Sequence, residues 1–74
     1  INTLNPNKLY YFGASLTINS QNPITVPVNI FYPGQINILI NGTSVYSGFG
    51  SSPTITLYQG KNLIEIFLIV WILY

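Results

Sequence analysis

Glu65 and the lysines Lys8 and Lys61 are the only charged side chains in this sequence, so any proton transfer or ion binding would have to start from them. Acid/base work at a glycosidic bond needs two carboxylates, and only one side chain here carries a carboxylate. There is no His, Cys or Asp, so neither a Ser-His-Asp nor a Cys-His nucleophile can be assembled. A Ser-Lys pair would require a lysine desolvated in an apolar pocket, and neither lysine stands in an apolar stretch. Zinc and transition metals draw on His, Cys and several carboxylates. The sequence therefore offers no all-protein metal site, and no pattern in it asks for a cofactor. Nucleic acid would want clustered Lys and Arg, against two isolated lysines and no Arg. Gly48-Phe49-Gly50 is followed by no basic residue and no helix start, so it is not a phosphate cradle. The expectation is a non-enzymatic chain that packs, assembles or binds something neutral.

The charged fraction is 4%, against about 25% in an average soluble domain. A hydrophobic fraction of 49% excludes a disordered tail. Polarity comes instead from nine Asn, six Ser, six Thr, three Gln and six Tyr. Neutral amides and hydroxyls keep their character in acid, where carboxylates lose their charge. Such a surface suits a harsh extracellular setting, or one covered by sugars or by copies of the same chain. The 74 residues allow one domain, near the size at which disulfides, metals or oligomerisation must supplement the core. With the first two absent from the sequence, oligomerisation is the expected support. Starting at Ile1 rather than Met, the chain reads as a single domain over residues 1–74, either a processed product or a piece of a longer polypeptide. No basic, apolar leader is visible at its start.

The elements that would carry these residues read as strands. From Lys8 to Ile18 the apolar positions are Tyr10, Phe12, Ala14, Leu16 and Ile18. From Ile24 to Tyr32 they are Ile24, Val26, Val28, Ile30 and Tyr32, and from Gln35 they are Ile36, Ile38 and Ile40. Alternation with β-branched and aromatic enrichment is a strand signature, and no window carries a capped helical period. Pro27 lacks a ladder donor, which places the second strand at an edge or a bulge. Gln21-Asn22-Pro23 and Tyr32-Pro33-Gly34 are turns. Asn41-Gly42 is a type I′ hairpin signal, predicted to pair Ile40 with Thr43 and Ile38 with Val45. Ser47 to Pro53 is a flexible loop. Thr54 to Tyr58 leads to a turn over Gln59 to Asn62, predicted to be a second hairpin pairing Leu57 with Ile64 and Ile55 with Ile66. The fold class expected is all-β: a small antiparallel β-sandwich, jelly-roll or immunoglobulin-like, of about six strands.

From Ile66 to Tyr74 every residue is apolar or aromatic. This run is too short for a membrane helix, which needs about 20 apolar residues, so no transmembrane helix is expected. Ile66, Leu68, Val70 and Ile72 would continue the core begun by Ile64. Phe67, Ile69, Trp71 and Leu73 then form an apolar stripe on the opposite face. A strand apolar on both faces is buried on both, so this stripe is the expected assembly interface, covered by another copy, another subunit or the rest of a longer chain.

Residues 36–66, with Ile36-Asn-Ile-Leu-Ile-Asn-Gly-Thr-Ser-Val-Tyr-Ser-Gly48, a variable loop, then Thr54-Ile-Thr-Leu-Tyr-Gln-Gly-Lys-Asn-Leu-Ile-Glu-Ile66, resemble the C-terminal half of extracellular jelly-roll modules of the PA14-type and carbohydrate-binding-module families. The resemblance implies a β-sandwich engaged in adhesion or sugar binding. The chain lacks the acidic residues with which many such modules hold calcium, so no cofactor is implied. The charge-poor, Asn/Tyr/Ile-rich composition is similar to that of archaeal virus coat proteins and archaeal surface filaments. Two function classes follow. The first is a structural subunit or domain of an extracellular assembly, such as a virion coat, tail or turret or a surface filament, partnered by its own copies. The alternative is an adhesion module for neutral glycans, stacking them on Tyr11, Phe31, Phe49 and Tyr58. Asn41-Gly42-Thr43 is an N-glycosylation sequon.

Overall fold

The structure, a computed structural model, describes residues 9–49 and 53–70. Six strands follow in order: β1 (Leu9–Ser20), β2 (Ile24–Pro27), β3 (Gln35–Ile40), β4 (Thr43–Phe49), β5 (Thr54–Leu57) and β6 (Gly60–Val70). Four of them form one sheet in the order β1-β6-β3-β4, and β2 and β5 form a second. Every pairing is antiparallel. The described residues contain no helix, and the all-β, two-sheet architecture expected from the alternation is present.

β6 runs between β1 and β3, and its pairing with β3 is unbroken from Gln35↔Ile69 to Ile40↔Ile64. That register lines up Ile36, Ile38 and Ile40 with Leu68, Ile66 and Ile64 on one face. Ile55 and Leu57 of β5 pack onto this face to make the core, with Ile18, Val26, Val28 and Ile30 around it. The other face of β5 carries Thr56, whose hydroxyl meets that of Thr25 across the β2–β5 pair at 3.1 Å. The period of two thus sets an inside and an outside on both sheets.

Three registers differ from the sequence expectation. The alternation of β1 breaks at Gly13, where the pairing shifts between Phe12 and Ala14. Ala14, Leu16 and Ile18 face the core side, while Tyr10 and Phe12 lie opposite Ile69 and Phe67 on the other face. A bulge reverses the facing of everything beyond it. At Gly13 a Cβ would stand 3.2 Å from the Ile66 carbonyl oxygen, so the strand passes close to β6 there. The Asn41-Gly42 turn has φ of 52° and 85°, as a type I′ turn requires, and Ile40 pairs with Thr43. A second bulge then makes Ile38 oppose Tyr46, not Val45, and leaves Val45 exposed. Finally, β2 stops at Pro27 rather than running to Tyr32. Pro27 has no N–H to give, and the next donor, the Val28 N–H, bonds the Pro53 carbonyl at 2.8 Å.

The largest correction concerns β5 and β6. They do not form a hairpin: β5 pairs with β2 and β6 with β1 and β3. The chain crosses between sheets at Gln59 to Asn62, so Ile55 and Leu57 meet Ile64 across the core rather than along a ladder. Gly60 takes φ of 95° at the corner, a conformation that favours glycine. Asn62 is fully buried and ties the corner together. Its side-chain oxygen accepts from the Tyr58 N–H at 2.8 Å. Its amide donates to the carbonyls of Tyr58, Gly60 and Ile18 at 2.8, 3.0 and 3.3 Å. One side chain therefore connects Tyr58 just past the end of β5, the turn and β1. Asn62→Ala leaves buried backbone groups unpaired and should cost about 2–4 kcal/mol. Thermal unfolding followed by circular dichroism should show a midpoint lower by roughly 10–30 °C.

Candidate functional site

The two sheets are unequal, and the mismatch creates a concave feature among the described residues. Two short strands roof a sheet of four, so the roof stops short of β1. Between Ala14, Leu16 and Ile18 of β1 and Val26 of β2 lies a groove of about 360 Å³, floored by Ile64 and Ile66. Ser15 and Asn29 are the polar residues that border it, and none of its lining residues carries a charge. What the groove offers is apolar surface in contact with water, beginning with Leu16, which is 59% exposed.

Beside the groove, β1 has a neighbour on one side only among the described residues. Twelve residues long, it is the longest strand at a sheet edge, and it contains neither charge nor proline. Exposed edges are usually blunted by shortness, Lys, Pro or bulges. β2 and β5 have four residues each, and β2 carries Pro27. β4 has seven and a bulge at Val45. β1 has only the bulge at Gly13. Leu9, Tyr11, Phe12 and Leu16 along it are exposed. Neither the edge nor the groove stood out in the sequence, because an uninterrupted alternation made Leu16 look like an ordinary core position.

Residues expected to form the assembly stripe lie elsewhere in the packing. Phe67 and Ile69 face away from the core, as expected, but are only 8% and 4% exposed within the single chain. Phe12 stands against Phe67 with ring centroids 5.2 Å apart and planes inclined by 59°. Beside them Asn37 is also buried, and its carboxamide oxygen accepts from the Ser44 hydroxyl at 2.6 Å. These two positions therefore do not wait for a second subunit, because their own chain covers them. Trp71 and Leu73 lie outside the described residues.

The four aromatics expected to stack sugar are all exposed, but they do not form one platform. Tyr11 opposes Leu68, and Phe49 opposes Gln35, which in turn opposes Ile69. Those rungs are at one end of the sheet, where Tyr11 shares the core-side face with Leu68 and Phe49 the opposite face. Phe31 adjoins Tyr32, whose hydroxyl reaches the Ile69 carbonyl at 3.4 Å. Tyr58 is bonded to Asn62, six residues from Leu68 along β6 and so about 20 Å away at the strand rise.

Asn41 is exposed at its turn, but its side chain is in use: the oxygen accepts from the Leu63 N–H at 2.8 Å and the amide donates to the Lys61 carbonyl at 3.3 Å. Lys61 and Glu65 lie on one strand, four residues apart, which separates them by about 13 Å. No helix among the described residues is long and apolar enough to cross a membrane. Comparison with protein-family models, curated proteins and solved structures returns no match.

Because Ile69 is buried in its own chain, Ile69→Thr should weaken the fold itself by about 2–4 kcal/mol, from lost apolar contact and a buried hydroxyl. Denaturant titration should show the loss to be the same at high and low protein concentration. A loss that appears only under dilution would mean that a subunit contact had been cut.

Proposed function

We propose that this chain is a non-enzymatic structural domain of an extracellular assembly, in the manner of a virion coat, tail or turret component or a surface filament, built by association with its own copies or sister subunits. The observation that carries this reading is the unprotected, charge-free edge of β1 with the apolar groove beside it. A solitary domain gains little from holding Leu9, Tyr11 and Leu16 in water, whereas an assembling one uses them. The composition supports the extracellular setting, since amides and hydroxyls supply nearly all the polarity and survive acid unchanged. Assembly in this reading proceeds through β1 rather than through Phe67 and Ile69. The dispersal of Tyr11, Phe31, Phe49 and Tyr58 over different faces and ends weighs against the glycan-binding alternative.

The test is sedimentation of the purified chain over a wide concentration range, with circular dichroism reporting the β signal. The expected result is reversible growth in mass with concentration and an unchanged spectrum. A single-chain mass throughout, or retention on immobilised neutral glycans without self-association, would overturn it.

A further inference from the structure

We propose that the edge of β1 pairs with the same edge of a second copy of this chain, Ala14–Ser20 of each running antiparallel across a two-fold axis normal to the sheet. This rests on the assembly reading above and names its contact. Past the Gly13 bulge, Ala14–Ser20 pairs with β6 without interruption as far as Ser20↔Gly60. Its other side therefore presents a regular row of N–H and C=O groups, which accept a strand most readily.

Two observations select a second copy as the occupant. The first is electrostatic. Neither β1 nor β2 contains Lys, Arg, Asp or Glu, so self-pairing meets no like-charge repulsion, and the edge holds no charge to attract an acidic or basic partner. The second is geometric. A two-fold axis normal to the sheet puts both β2–β5 roofs on the same side of the joined sheet, β4-β3-β6-β1 continuing into its symmetry mate. The two grooves then open toward each other, and Leu16 of each copy is drawn from water at the junction. A lipid or small apolar ligand would fill the groove and leave the edge backbone unpaired, whereas a second copy meets both needs. Size sets the strength of the pair. The paired segment Ala14–Ser20, about 23 Å at the usual strand rise, by the 15 Å thickness of the molecule, covers about 350 Å² per copy. The two copies together bury about 700 Å², below the roughly 1,200 Å² of stable interfaces, so the pair is expected to be weak and concentration-dependent.

With the axis near Thr17, Leu16 meets Ile18 of the other copy on the groove face, and the two Thr17 side chains meet on the opposite face. Thr17 is exposed and opposes Leu63, so it can be changed without entering the core. The experiment compares wild type, Thr17→Lys, Thr17→Glu and an equimolar mixture of the two variants by sedimentation and native mass spectrometry. Thr43→Lys on β4 serves as an edge control, and circular dichroism checks folding throughout. The proposal expects a two-chain mass for wild type and for Thr43→Lys, a single-chain mass for each Thr17 variant alone, and the two-chain mass restored in the mixture. If both Thr17 variants associate like wild type, the β1 contact is overturned while the assembly reading stands. If they separate but the mixture does not restore the pair, the two-fold placement at Thr17 is overturned. A wild type that stays single-chain at every concentration overturns the assembly reading and this contact with it.

Discussion

β6 is the constraint on which the larger sheet depends. Among the described residues it is the only strand that bonds β1, and it gives β3 its second neighbour. Through β3 it also holds β4 in place. A strand paired on both sides within a two-layer protein has little access to water, which accounts for its nearly continuous apolar sequence from Leu63 onward. Ile64 goes to the core and Phe67 and Ile69 to the opposite face, and all three are buried in one chain. Asn62 at the start of β6 decides which sheet the strand joins. Its four hydrogen bonds hold the corner that sends β5 into the roof and β6 into the floor. Without that corner the sequence from Thr54 to Ile66 would suit a simple hairpin, and the second layer would lose β5.

The same arrangement creates the incompleteness that the functional reading uses. Moving β5 into the roof gives two strands above and four below, so β1 is roofed only in part. A longer chain could add roof strands, and a charged chain could blunt the edge with lysine. Here neither remedy is present in the described residues: β1 is neutral, free of proline and twelve residues long. The scarcity of charge leaves the sequence without a recognisable pattern for catalysis, metal binding or nucleic-acid binding. It also removes the usual barrier to self-association. One compositional fact thus argues against several functions and for another.

Much of the fold was legible in the sequence because short-range chemistry governs it. Asn41-Gly42 specified its turn and the Ile40↔Thr43 pairing, and the isoleucines of β3 specified their face. What was not legible came from long-range geometry. The alternation from Tyr10 to Ile18 runs through Gly13 without a visible break, so nothing local announced that the facing reverses there. Val45 looked like a core residue until a bulge displaced it. Gln59 to Asn62 has the composition of a hairpin turn, and only the burial of Asn62 against Ile18, a residue more than forty positions away, shows that it is a corner between sheets. The groove was invisible for the same reason, since it follows from unequal strand numbers in two sheets and not from any motif.

The central claim is that β1 is an edge only in the isolated chain. Residue-resolved amide hydrogen exchange along Ala14–Ser20, at concentrations above and below the onset of association, tests it most directly. In the isolated chain alternate amides of this segment point away from β6 and should exchange fast, while those bonded to β6 exchange slowly. The account predicts that the fast set becomes slow at high concentration, with the amides of the β4 edge unchanged. Fast exchange of those alternate amides in the associated state would contradict it.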